Sequence, residues 1–297
     1  MIKLNSAMER HNETWRLKWA LAISVGYFFA ELIAGFLTNS LALLSDAGHM
    51  LSDIGAMTMS LYAFRLARRP ATPESTYGYH RAEILAALFN GLALWLLVGV
   101  IFTAAYNRLS SPPPVESLGV IVVAVLGLLV NVAAGLILYE PHHHNLNLHG
   151  AFMHVISDAV GSVGAIVAGL VMYFTGWYLA DPLISVFIGL LILYSSWNLI
   201  KESLSILMQA VPKSIRLEEV QRTIENVDGV VEVHDLHVWA VTSGIYTLSA
   251  HAVVENGEDL HEVLNGIEDT LKEHFSIEHT TIQLETESRE EKEFKGF

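Results

Sequence analysis

The chain has 297 residues, 52% of them hydrophobic and only 16% charged, with a mean hydropathy of +0.42 and a formal charge of −14. That composition excludes a disordered chain and an ordinary water-soluble domain, and the acidity argues against nucleic acid as a partner. The absence of cysteine removes disulfides, zinc ribbons and thiol catalysis together.

Charge is distributed unevenly. Residues 1–211 hold 10 basic and 12 acidic side chains, whereas residues 212–297 hold 7 and 19. The chain therefore divides into a short N-terminal arm over 1–15, an apolar and nearly neutral region over 16–209, and an acidic, water-exposed region over 210–297. Met1 to Glu13 is polar and lacks the basic, apolar, small-residue order of a cleaved signal, so the first helix is expected to remain.

Six apolar stretches follow in order, at 16–38, 42–65, 82–107, 117–139, 150–174 and 181–207. Each matches the roughly 20 helical residues that cross a bilayer core of ~30 Å. Val120 to Leu138 has Asn131 as its one strongly polar side chain and is apolar on every face, which suits a helix in lipid. Basic residues precede the first stretch, flank the second connection and follow the sixth, while the connections after stretches 1, 3 and 5 contain only Arg108. The positive-inside rule then places both termini in the cytoplasm, as an even number of spans requires. Pro112, Pro113 and Pro114 break the chain between stretches 3 and 4, and Asp181-Pro182 opens the sixth.

The acidic region carries a different periodicity. Arg216 to Asn226 reads as helix, Val230 to Ala240 and Ile245 to Val254 as strands around Ser243-Gly244, Asp259 to Phe275 as helix, and His279 to Leu284 as a short strand. The order αββαβ predicts a small α+β sandwich of ferredoxin-like or metallochaperone-like type. The expected fold is thus an all-α membrane bundle of six transmembrane helices followed by a cytoplasmic α+β domain.

An ionisable side chain at the centre of a membrane helix costs about 2.5–3.5 kcal/mol on insertion scales, so each one needs a reason. His49 and Asp53 on the second helix, and His154 and Asp158 on the fifth, are both spaced i, i+4, which stacks each pair on one helix face. If the faces oppose, two imidazoles and two carboxylates converge in the donor set of a tetrahedral zinc site. The alternative is that each histidine bonds its own aspartate and serves packing. Glu31 and Asp46 lie in similarly apolar sequence without a histidine, where a cap or interhelical bond explains them as well as a functional role does. Asn131 reads as interhelical glue, and Gly48, Gly161, Gly164 and Gly169 as packing positions.

Leu44 to Asp53, Tyr77-Gly78-Tyr79-His80-Arg81-Ala82-Glu83, His149 to Gly161 and His234-Asp235-Leu236-His237-Val238-Trp239 together resemble the cation diffusion facilitator family of divalent-metal transporters. The resemblance runs from the first helix to about Glu285. It implies that His49, Asp53, His154 and Asp158 form the transport site of a homodimer in the lipid bilayer, exporting zinc in exchange for protons. It also implies a tail metal site at His234, His251 and Glu285, with Gln283 standing where some members place a histidine. Two histidines and two aspartates favour zinc over manganese, iron or cadmium, while cobalt is harder to exclude. Short loops point to a bacterial inner membrane.

Two further histidine groups stand out. Pro141 to His149 contains His142, His143 and His144 and no basic residue; it reads either as a zinc-capture loop at the cytoplasmic entrance or as a solvated loop. In the tail, regular strand alternation would put His234 and His237 on opposite faces, so that they share an ion only if the strand bends. His274 reads as a surface helix residue. The acidic tail reads as a solvated surface, with concentration of divalent cations as a functional addition, and the resemblance implies that zinc between two facing tails would bias the membrane part. An intramembrane metalloenzyme lacks an open metal position and a His-Glu-x-x-His pattern here, and a zinc-sensing receptor is the third reading. The expectation is therefore a secondary transporter, not an enzyme.

Overall fold

A computed structural model describes residues 25–139 and 146–286, and the side chains of these except at 137–139 and 146–154. Six helices come first: α1 (Val25–Thr38), α2 (Leu41–Ala67), α3 (Ala82–Ser110), α4 (Ser117–Tyr139), α5 (Leu146–Thr175) and α6 (Ala180–Leu207). Four of them, at Ala82–Ser110, Ser117–Leu136, Val155–Thr175 and Ala180–Leu207, are long and apolar enough to cross a membrane. The described part of α1 is shorter, and α2 is 27 residues long but interrupted by Asp46, His49 and Asp53. Helix α5 starts at Leu146, earlier than the apolar run, because the polar turn of Asn147 and His149 is helical too.

The chain forms two compact units. The first comprises Met1–Thr58 with Phe89–Asn198, and the second Met59–Leu88 with Leu199–Phe297. In the first, Ala42, Leu94, Val98, Ile101, Ile188 and Ile192 join α2, α3 and α6, while Leu43, Val120, Ala168 and Met172 join α2, α4 and α5. Close approach depends on small residues: a Cβ at Gly169 would lie 2.7 Å from Ile121 Cγ1 of α4. Asn131 on α4 reaches Ser162 on α5 at 3.5 Å, in keeping with its reading as a bridge. Outward-facing side chains are large and apolar, among them Leu96, Leu136, Phe174 and Tyr194. Such a surface is costly in water and matched to lipid, so the membrane supplies what a soluble bundle would need a second layer to cover.

At one end of this unit a single carboxylate gathers three helices. Asn39 adopts the left-handed backbone (φ 57) that ends α1, and Ser40 caps α2 by accepting from the Leu43 amide at 3.3 Å. Asp181, fully buried at the start of α6, accepts the Ser40 hydroxyl at 2.6 Å and the Leu41 and Ala42 amides at 2.8 and 3.2 Å. Arg108 at the end of α3 pairs with it at 3.2 Å and also donates to the Asn39 carbonyl at 2.7 Å.

In the second unit, α7 (Leu217–Glu225), β1 (Val230–Thr242), β2 (Ile245–Val254), α8 (Leu260–Phe275) and β3 (Ile277–Glu285) follow the expected αββαβ order. Strand order is β1-β2-β3, antiparallel between β1 and β2 and parallel between β2 and β3. Val220 and Ile224 of α7 and Val263, Ile267 and Leu271 of α8 pack with Val233, Val238, Leu248 and Ala250 into one core. Asp259 caps α8 through the His261 amide at 2.9 Å, and Ser276 ends it in the left-handed conformation. Because Leu248, Ala250 and Ala252 point to the helices, His251 points to the opposite face of the sheet.

Candidate functional site

On α2, one helical turn brings His49 and Asp53 together, with Nε2 3.7 Å from Asp53 Oδ2. The same Nε2 lies 3.9 Å from Oδ1 of Asp158 on α5. Three of the four residues in the two i, i+4 pairs thus approach one another across α2 and α5, His49 and Asp158 being 109 positions apart in the chain. His154 sits one turn before Asp158 on α5, and its side chain lies outside the described residues. His49, Asp53 and Asp158 are partly buried, with side-chain exposures of 12, 23 and 18%. Separations near 4 Å between an imidazole and two carboxylates are longer than hydrogen bonds and leave room for a cation among the donors. Glu31 is buried close by and accepts the Tyr27 hydroxyl at 3.1 Å within α1.

The second grouping lies on the helix-free face of the tail sheet. His234, His251 and Glu285 each offer a ligand atom, and these atoms all fall within 4.8 Å of one another. Glu285 Oε2 is 3.6 Å from His234 Nε2, and its Oε1 is 3.6 Å from His251 Nδ1. The two imidazoles stand edge to face with centroids 5.3 Å apart. His234 is 9% and Glu285 5% exposed, so a carboxylate and one imidazole are held out of water, with the donor atoms of the half-buried His251 converging on them, and the donor set suits zinc. Gln283 donates to Glu285 Oε1 at 2.5 Å. It orients this carboxylate, a role that the sequence reading missed.

The alternation expected of β1 does not hold through its motif. His234 pairs with His251, but His237 pairs with Ser249, two residues along one strand against three on the other. This bulge, with Asp235 at φ 48, puts His234 and His237 on the same face, whereas regular pleating separates them. His237 nonetheless contacts Asp235 at 2.9 Å and is not among the converging three. Among the other tail histidines, His274 is exposed on α8 as expected, and His279 on β3 meets the Tyr77 ring edge-on at 5.9 Å. The sequence His142-His143-His144 lies outside the described residues.

Comparison with known proteins places the chain in a family. Residues 17–208 match the cation efflux transmembrane domain and residues 212–287 the cytoplasmic domain of cation efflux proteins. The cadmium, cobalt and zinc/H(+)-K(+) antiporter of Bacillus subtilis (strain 168) is 46% identical over 286 residues, covering 94% of this chain and 92% of that protein. The metal cation efflux system protein CzcD of Cupriavidus metallidurans is 44% identical, with 91% and 85% covered. The zinc transporter ZitB of Escherichia coli (strain K12) is 38% identical, with 95% and 90% covered. The solved structure of the metal-bound C-terminal domain of the CzcD transporter from Cuprividus metallidurans is 40% identical, covers 24% of this chain and 99% of that chain, and has a TM-score of 0.23. With both domain families matched in order over most of its length, the chain belongs to the cation efflux, or cation diffusion facilitator, family.

Proposed function

We propose that this protein is a secondary transporter that exports zinc from the cytoplasm in exchange for protons, using His49, Asp53, His154 and Asp158 as the transport site. The observation that carries the reading is the approach of His49 on α2 to Asp158 on α5 at 3.9 Å, with Asp53 beside them. Metal needs neutral imidazole and ionised carboxylate, so zinc and protons compete for the same four side chains. Opening to the cytoplasm lets zinc displace protons; opening to the far side lets protons displace zinc. The tail trio of His234, His251 and Glu285 is read as a regulatory zinc site in a homodimer whose tails face each other, consistent with the matched cytoplasmic domain. In this reading both termini lie in the cytoplasm, as the distribution of basic residues suggests, and the short loops favour a bacterial inner membrane.

Zinc flux into proteoliposomes under an imposed pH gradient tests the reading. Gradient-dependent flux is expected from the unmodified protein; its absence sinks antiport and turns attention to the sensor reading, and product release from a hydrolysable substrate would instead favour the enzyme. The B. subtilis relative is also named for cadmium and cobalt, and the same assay ranks these ions. A carboxylate in place of an imidazole removes a donor that suits zinc and leaves a more permissive site. His49→Asp should therefore raise cadmium transport relative to zinc, and an unchanged ratio would refute the assignment of selectivity to that imidazole.

A further inference from the structure

We propose that Asp235 is the outer anchor of the tail metal site, holding the His251 ring so that Nδ1 is presented to the ion beside Glu285. The inference rests on the reading of His234, His251 and Glu285 as ligands. His251 lies between two carboxylates: Nδ1 faces Glu285 Oε1 at 3.6 Å, and Nε2 faces Asp235 Oδ2 at 4.0 Å. A histidine that binds metal through one ring nitrogen donates the N–H of the other to a carboxylate or carbonyl, which fixes its tautomer and its orientation. Asp235 is the carboxylate on the Nε2 side of His251. Its other oxygen is held by His237 Nε2 at 2.9 Å, so His237 steadies the anchor without being among the converging ligands.

The backbone explains how an acid comes to be there. With regular pairing after His234 and His251, residue 235 would stand opposite Ala250, whose side chain is in the apolar core. The bulge interrupts that register, and Asp235 takes the left-handed conformation at φ 48. Leu236 then packs against the core, while Asp235 lies on the outer face, 2.9 Å from His237 and 4.0 Å from His251. Asp and Asn tolerate this conformation far better than most residues, and bulges characteristically re-aim a side chain. Thus the same distortion that breaks the predicted alternation delivers the positioning carboxylate.

Zinc binding to the full-length protein in detergent, with ions counted per chain, tests the assignment in an Asp53→Ala, Asp158→Ala background that removes the membrane ligands. Asp235→Gly keeps a residue at ease with positive φ and removes the carboxylate. It should weaken the tail site about 10–100-fold while the number of ions per chain stays the same. Asp235→Asn, which keeps an acceptor oxygen but not the charge, should fall between the glycine variant and the parent. Loss of one ion per chain with the remaining affinity unchanged would make Asp235 a ligand of a separate ion with His237 and overturn the proposal, as would unchanged affinity in the glycine variant. Glu285→Gln serves as the control for the underlying reading. If it retains full tail zinc binding, the trio is not the site, a failure distinct from that of Asp235.

Discussion

Alanine at Asp158, and separately at Asp53, is expected to reduce gradient-driven zinc flux by at least about 100-fold while leaving the protein no less stable. The size follows from ligand chemistry: outer-sphere changes alone cost 10–100-fold in metal affinity, and these substitutions remove a charged donor outright. The stability prediction follows from the membrane. Each acid in an apolar span opposes insertion by about 2.5–3.5 kcal/mol, so a carboxylate retained for packing should leave a destabilised protein when deleted, and one retained for transport should not. Asp53 and Asp158 are separated from His49 by 3.7 and 3.9 Å, longer than a hydrogen bond to that imidazole. Flux from proteoliposomes and thermal melting in detergent are read on the same preparations. Flux within twofold of the parent in either variant would move the transport site elsewhere, and a lowered melting temperature with lost flux would return the pair to a packing role.

What the sequence discloses is local and periodic. His49 and Asp53 are legible as a pair because one turn of helix fixes their neighbourhood, and the second pair raises the inference from packing to chemistry. The order of the tail elements is legible because Val220, Ile224 and the apolar positions of β2 follow their own periods. The bulge at Asp235 was not, since an added residue in one strand leaves no mark on hydrophobic alternation until the partner strand is known. Gln283 looked like the loss of a ligand, yet across one strand position it supports Glu285. Asp181 was readable only as a helix opener before Pro182, because its partners at Ser40 and Arg108 are 141 and 73 residues away.

That long-range clasp should respond in the opposite way to the proposed transport residues. Asp181→Ala removes the acceptor of the Ser40 hydroxyl and of two amides in the first turn of α2, and it strands Arg108, whose side chain is 18% exposed. Removing one member of a buried, hydrogen-bonded ion pair costs about 3–5 kcal/mol, mainly through the charge left behind. The melting temperature should fall, and flux should decline with it because His49 and Asp53 lie two and three turns further along the helix that the clasp holds. Asp181→Asn, which keeps an acceptor oxygen near Ser40, should lose less than alanine. Removing Arg108 as well should cost less than the sum of the two single changes, since its charge is no longer orphaned. Melting of Asp181→Ala at the temperature of the parent would contradict a structural clasp. Full stability with abolished flux would instead assign Asp181 to transport, so the stability measurement on this variant and on Asp158→Ala separates the acid that holds the helices from the acid proposed to meet the ion.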